Sequence, residues 1–269
     1  MKFICPKCNL PLEQKEGGAV ACAAGHSYDR SREGYYNLLL GGGGTHGDNK
    51  DMVAARRAFL NTGAYFPLAS RVAELCASHL PTGGALLDVG CGEGYYTNII
   101  EARISVEGGG KIYGFDISKD AVRLCAKKNK NLSLAVASAY RMPFADSSFD
   151  AVTNLFSPLA REEILRVLRP GGKFIMAIPD REHLFGLKSA IYKTPYKNEV
   201  ADSALPGFSL LAEEHISYEM NLRSAEDITS LFMMTPYAYR TGREERERVS
   251  LLTSLDTVAA FVVFVYEKV

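Results

Sequence analysis

Four residues near the N-terminus have the types and spacing of metal ligands. Cys5-Pro6-Lys7-Cys8 is a C-x2-C pair, and Cys22 and His26 follow at a C-x3-H spacing. A tight turn between two close cysteines aims both thiolates at one centre. A second knuckle brings another thiolate and an imidazole, completing a tetrahedral Cys3His zinc site. Because protein fills all four positions, such a site is structural rather than catalytic. The intervening residues 9–21 are long enough for a β-hairpin turning at Gly17-Gly18. A segment this small cannot bury an adequate core, so metal binding would supply much of its folding free energy. No βαβ pattern surrounds the cysteine pair, which argues against a redox C-x2-C.

A second constellation lies in the middle of the chain. Asp88-Val89-Gly90-Cys91-Gly92-Glu93-Gly94 sets a G-x-G-x-G run behind a short apolar strand, Ala85 to Val89. Glycines after a strand let the backbone approach a ligand closely, and an acid after the next strand can bond ribose hydroxyls. That acid is Asp116, 22 residues beyond Gly94. Asp88, Gly90, Gly92, Gly94 and Asp116 are therefore candidate cofactor-binding residues. A nucleotide-binding dehydrogenase would show similar features, so the glycines alone leave the cofactor open.

The elements that must position these residues alternate strand and helix. Strands are expected at 85–89, 111–116, 132–137, 149–154 and 173–178, with helices after the glycine run, from Ser118 as cap through Lys128, and over 162–168. Alternation at this spacing means a largely parallel, doubly wound α/β sheet. Upstream, Asp48 or Asn49 is placed to cap a helix from about Met52 to Leu60, and a second helix covers Leu68 to Leu80. Gly34 to Leu40 is expected to close the N-terminal module as an ordered strand or turn, and Gly41 to Gly44 to form a flexible hinge. The run Val258 to Tyr266 has the length and β-branched content of a buried strand. The domain plan is thus a zinc module at 1–40, a linker with helices at 41–84, and the α/β domain at 85–269. Cys76, Cys91 and Cys125 read as core or loop residues.

Composition restricts the function classes further. The 269 residues carry 31 Lys and Arg against 31 Asp and Glu, so overall positive charge cannot be what holds a nucleic acid. Local clusters survive that objection: Arg30 with Arg32, Arg56 with Arg57, Lys127 to Lys130, and Arg240 to Arg248 interleaved with glutamates. No apolar run is long enough to span a membrane, and the first residues lack the apolar core of a signal peptide, so a cytoplasmic protein is expected.

The segment Asp88 to Gly94 closely resembles motif I of class I methyltransferases, which bind S-adenosylmethionine on a Rossmann-like sheet. Met142 to Asp150 resembles the approach to their fourth strand, and Leu168-Arg169-Pro170-Gly171-Gly172-Lys173 the turn before their fifth. Joined to the Cys3His module, Glu33 to Leu39, Ala55-Arg56-Arg57-Ala58-Phe59-Leu60 and Gly92 to Thr97 resemble the RlmA family, as do His183-Leu184 and Met234 to Tyr237. That resemblance implies methylation of N1 of a guanine in a hairpin loop of bacterial 23S ribosomal RNA. It also implies zinc on Cys5, Cys8, Cys22 and His26, cofactor contacts from Tyr65, Gly94, Tyr95 and His183, and a homodimer whose subunits form the RNA cleft. By residue type alone, Tyr65 could equally be a core aromatic and His183 a satisfied loop histidine. The tetraglycine departs from the pattern, since a more basic linker would help to hold RNA.

No general base stands out. Asn154-Leu155-Phe156-Ser157-Pro158 should border the target base, with Phe156 either stacking on it or packing in the core. Two other readings remain: a small-molecule methyltransferase, and a non-enzymatic RNA-binding adaptor with a degenerate cofactor site. The intact glycines and Asp116 argue against the adaptor. If the module reads RNA and the α/β domain holds cofactor, removing residues 1–40 should abolish action on RNA while sparing cofactor affinity.

Overall fold

The computed structural model describes residues 2–41, 47, 49–200 and 202–269. The cap expected at Asp48 and the hinge at Gly42 to Gly44 lie outside the described residues. Three short strands, β1 (Glu13–Gln14), β2 (Val20–Ala21) and β3 (Ser27–Tyr28), form a small antiparallel sheet, turning at Gly17 and Gly18 with φ of 78° and 86°. Next come β4 (Tyr36–Asn37), α1 (Lys50–Asn61), α2 (Phe66–His79) and β5 (Ala85–Val89). The repeat continues with α3 (Tyr95–Val106), β6 (Lys111–Asp116), α4 (Lys119–Lys128), β7 (Ser133–Val136), β8 (Phe149–Leu155), α5 (Arg161–Val167) and β9 (Leu168–Pro179). The chain ends with α6 (Phe185–Ile191), β10 (Phe208–Leu222), α7 (Ala225–Met233), α8 (Tyr237–Arg240), α9 (Arg243–Ser250) and β11 (Leu255–Lys268).

One eight-stranded sheet has the order β10-β11-β9-β8-β5-β6-β7-β4. The strands from β9 to β4 are parallel, and β10 and β11 complete one edge as an antiparallel pair. β5 pairs with β6 on one side and β8 on the other, so the strand order reverses beside it and a crevice opens beyond its carboxyl end. All five residues of β5 are buried, as a central parallel strand requires. The caps follow residue chemistry: the Asn49 side chain accepts the Met52 N–H of α1 at 2.9 Å, and Ser118 accepts that of Ala121 in α4 at 3.4 Å.

The segment expected to close the zinc module does so, with the Ser31 N–H donating to the Tyr35 carbonyl at 2.8 Å and Arg30 bridged to Tyr36, and it also does more. Tyr36 and Asn37 join the large sheet as its edge strand, parallel to β7, and the Tyr36 hydroxyl reaches back to the Gly18 carbonyl at 3.0 Å. The reason lies in the β7–β8 crossover. α3, α4 and α5 fill the crossovers on either side of it, but 137–148 contains no helix among its described residues. The zinc module occupies the uncovered face. Phe3 stacks on Phe144 at 5.1 Å and meets Tyr36 and Tyr113 edge-on at 5.9 and 6.0 Å. Leu12, Val20 and Cys5 are buried in the same cluster as Phe115, Phe149 and Val152 of the sheet. The Ile4 N–H donates to the Pro143 carbonyl at 2.9 Å. Burying Phe3 alone contributes about 1.5–3 kcal/mol. The module and the α/β domain therefore share one hydrophobic core.

Candidate functional site

The four metal-ligand candidates converge. Their ligand atoms all lie within 4.8 Å of one another. Cys8 Sγ to Cys22 Sγ is 3.6 Å, and His26 Nδ1 is 3.5 Å from both Cys5 Sγ and Cys22 Sγ. A tetrahedral zinc with bonds of about 2.3 Å to sulfur and about 2.0 Å to nitrogen sets S···S near 3.7 Å and S···N near 3.5 Å, so the donor set fits. Burial works against ionising Cys5, yet bonds from the Tyr28 hydroxyl at 3.3 Å and the backbone around Cys8 and Lys7 bring its thiol down to about 6. The thiolate is the ligand form.

The second site lies beyond the carboxyl ends of β5, β6 and β8. Gly90 must lack a Cβ, because one would sit 2.5 Å from Ser157 Cβ, whose hydroxyl donates to the Val89 carbonyl at 2.8 Å. Gly92, with φ of 54°, has nothing within 4 Å of where its Cβ would be, leaving an open surface on the loop. Gly94 precedes the first turn of α3, and its N–H closes the loop on the Cys91 carbonyl at 3.0 Å. Asp116 ties two loops together, its carboxylate accepting the Gly92 N–H at 3.0 Å and the Ser118 N–H at 2.8 Å. Asp88 faces inward. It is buried and accepts the Thr97 hydroxyl at 2.6 Å and the Thr153 hydroxyl at 2.8 Å, bracing the loop from below. Burial raises its carboxyl above the usual range, with the two threonines opposing.

Polar atoms on this loop await a partner. Five side-chain polar atoms among the described residues are buried without a hydrogen bond, and three of them are Glu93 Oε1, Tyr95 Oη and Asn98 Oδ1. Unpaired buried polar atoms are costly, and their concentration on the glycine loop and first turn of α3 fits a polar ligand seated there. S-adenosylmethionine, with its ribose, ammonium and carboxylate, has matching groups.

An aromatic chain runs from this loop to the far side of the crevice. Tyr95 meets Tyr96 at 5.0 Å, Tyr96 meets Phe156 at 6.0 Å, and Phe156 meets Phe261 at 5.6 Å. Phe261 in turn lies 5.0 Å from Tyr65 and 4.6 Å from His183. Phe156 has φ of 61° and is 40% exposed. A non-glycine residue held in the left-handed region and left open to solvent is typical of a working position. The Ala260 N–H donates to His183 Nδ1 at 3.2 Å, so the imidazole carries its hydrogen on Nε2 and points it at Tyr65 Oη, 3.2 Å away. Burial, then the nearby Lys188 charge, holds His183 down to about 3, so the ring is neutral at physiological pH. The Tyr65 hydroxyl hydrogen is thereby directed away from the histidine.

Comparison with known proteins places this geometry. Residues 87–176 match the family model of the methyltransferase domain, and residues 3–40 match that of the RlmA N-terminal zinc ribbon. The 23S rRNA (guanine(748)-N(1))-methyltransferase of Streptomyces fradiae is 30% identical over 97% of this chain and 94% of its own. The chain belongs to the RlmA family of methyltransferases. A Bacillus subtilis (strain 168) relative, also named for guanine-N1 methylation of 23S rRNA, is 32% identical over 94% of this chain and 91% of its own. The demethylmenaquinone methyltransferase of Symbiobacterium thermophilum is 38% identical, but over only 36% of this chain and 43% of its own. The doubly wound sheet is thus the class I methyltransferase fold, its cofactor S-adenosylmethionine and its ribbon metal zinc.

For an RlmA-family chain, the residues singled out from sequence fall into three groups. Cys5, Cys8, Cys22 and His26 form one cluster. Gly90, Gly92, Gly94, Tyr95 and Asp116 surround one loop, with Asp88 beneath it. Tyr65 and His183 pair with each other across 118 positions and join the loop through the aromatic chain. Sequence reasoning passed over Glu93, Asn98, Tyr96 and Phe261. Glu93 carried a signal, as the one acid inside the G-x-G-x-G run. Phe261 carried none within the apolar run of β11. Among the described residues, no helix is long and apolar enough to cross a membrane.

Proposed function

We propose that this protein transfers the methyl group of S-adenosylmethionine to N1 of a guanine in a hairpin loop of 23S ribosomal RNA. What carries the reading is the extent of the likeness: relatives named for that reaction match nearly the whole chain, zinc ribbon included, whereas the quinone methyltransferase matches only a part. That contrast disfavours the small-molecule alternative.

Bound in the crevice, S-adenosylmethionine would supply a methyl group on a sulfonium, activated for in-line displacement, with the S–CH3 bond breaking and the guanine N1 proton passing to water as the methyl is taken up. The chain's part is to position. Asp116 is assigned to the ribose hydroxyls, and the backbone at Gly90, Gly92 and Gly94 to close approach. Tyr95, with Tyr65 and His183, is assigned to the remaining polar groups of the cofactor; a neutral His183 lets Tyr65 present a donor hydrogen. Phe156, exposed at the end of β8, is assigned to stacking on the flipped guanine, as aromatic rings do with unstacked RNA bases. The substrate implies a cytoplasmic enzyme, and a homodimer forming the RNA cleft remains part of the reading.

The deciding experiment incubates the purified protein with S-adenosylmethionine and a transcript of the 23S rRNA hairpin. Methylation blocks the Watson–Crick edge, so reverse transcription should stop at a single guanine. No stop on the hairpin, with methyl transfer to a quinol instead, would replace this reading with the small-molecule one.

A further inference from the structure

A groove of about 510 Å³ lies between α1 and α4, outside the cofactor crevice. One wall is a stripe of α1, in which Lys50, Val53, Ala54, Arg57 and Ala58 recur at helical spacing and share a face. The other wall includes Asp120 and Arg123 of α4. Lys50 and Arg57 make no hydrogen bond or ion pair within 4 Å among the described residues, and the Arg57 charge acts at longer range on Glu93. Asp120 is the one acid in the lining, and Arg123 partners it at 3.6 Å. Val53, Ala54 and Ala58 are short side chains between Lys50 and Arg57, which leaves room for an extended chain between the cations.

The basic surface continues towards the zinc ribbon. Lys127 follows Arg123 one helical turn later, and Lys130 donates to the Glu33 carbonyl of the ribbon at 2.6 Å. Tyr35 lies close enough to Arg123 and Asp120 for their charges to act on its hydroxyl. The basic stretch at the end of α4 thus meets the ribbon at Glu33.

We propose that this groove holds the phosphate backbone of the RNA strand flanking the target nucleotide, with Lys50 and Arg57 on phosphates about three nucleotides apart and Arg123 on the facing wall contacting the same strand. The inference rests on the rRNA reading above and adds the path of the strand. Lys50 and Arg57 stand about 10 Å apart along α1, a span of about three nucleotides in a stacked strand at roughly 3.4 Å each. A regularly charged polyanion fits two cations at that spacing that have no partner among the described residues.

The test measures hairpin affinity across salt concentrations for wild type and for Lys50→Ala, Arg57→Ala and Arg123→Ala combined. For single-stranded RNA each phosphate contact contributes about 0.7 to the slope of log affinity against log salt. The triple variant should therefore bind roughly 10- to 1000-fold more weakly at low salt, with a slope shallower by about 2. Its melting temperature and its calorimetric affinity for S-adenosylmethionine should match wild type. A second variant, Ala58→Glu, places a carboxylate in the groove and should weaken binding with all three cations intact. If wild type binds the hairpin and neither variant changes affinity or slope, the groove is off the RNA path while the rRNA reading stands. If wild type itself neither binds nor methylates the hairpin, the rRNA reading fails and takes this proposal with it. A groove that binds polyglutamate, lost in the triple variant while RNA binding persists, would be a protein-docking site and would equally overturn it.

Discussion

The zinc ribbon and the glycine loop lie against the same sheet but are stabilised by opposite means. The ribbon's strands β1, β2 and β3 are two residues each, and its four ligands sit around a single point. The glycine loop is held instead by β5, buried along its length, and by the Asp88 and Asp116 carboxylates. One region depends on a cation; the other depends on a core. Yet that core includes Phe3, Leu12 and Val20 of the ribbon, in the place of a crossover helix. The comparison teaches that the two regions are not separable units, although their chemistry is. The expectation that removing residues 1–40 spares cofactor affinity is therefore revised: the deletion takes away β4 and uncovers Tyr113, Phe144 and Phe149.

The largest effect should come from breaking the metal site. Cys5→Ala with Cys8→Ala, or strong chelation, should unfold the ribbon and cost the whole protein about 5 kcal/mol or more, since zinc binding supplies the ribbon's folding free energy. Thermal melting and calorimetric titration with S-adenosylmethionine should both show the loss; an unchanged melting temperature would separate the regions after all.

Phe3→Ala sharpens the same comparison with the metal left in place. It should cost about 3–5 kcal/mol, a fall of roughly 10 °C in melting temperature at this chain length, while bound zinc stays at one per chain. A surface role for the ribbon alone predicts almost no shift.

On the other side of the comparison, Asp116→Ala should weaken S-adenosylmethionine binding by roughly 1.5–3 kcal/mol through lost charge-assisted bonds. Gly92→Val should weaken it more, because its side chain would enter the open surface and its backbone has φ of 54°. Zinc content should be untouched in both, and wild-type affinity in either would misplace the cofactor.

The smallest effect is a pH dependence from His183. Its folded pKa, about 3, lies below the 6.5 of a free histidine, so the unfolded chain binds the proton more readily. Its contribution is fully present above pH 6.5 and is lost as pH falls towards 3, at about 1.4 kcal/mol per pH unit. Urea unfolding at pH 7 and pH 5.5 should show a smaller difference for His183→Asn than for wild type.

Much of this was legible from residue order. The parallel strands emerged where expected because apolar runs of four to seven residues are bounded by glycine, proline or capping residues: β5 and β6 match at both ends, while β7 is one residue shorter at each end than expected. β9 begins earlier than expected, at Leu168, and the expected turn falls inside it: Leu168 pairs with Phe149 and Lys173 with Ala151, so Arg169 to Gly172 loop out opposite Asp150, with Gly171 at a φ of 72°. β10 escaped notice. It alternates half-buried and exposed residues at an edge and pairs with β11 across a connection containing α7, α8 and α9, so no local turn marks the hairpin.

The sequence by itself determined the zinc ligands, the glycine loop, its acid and the family, because each rests on residue types at short, fixed spacings. Tertiary structure alone decided what those residues face. Thr97 and Thr153, 56 positions apart, turn Asp88 inward, and Ala260 assigns the tautomer of a histidine 77 positions before it. It also decided that Phe3 would serve where a helix is missing, since a sheet face must be covered by whatever apolar surface the chain can bring to it.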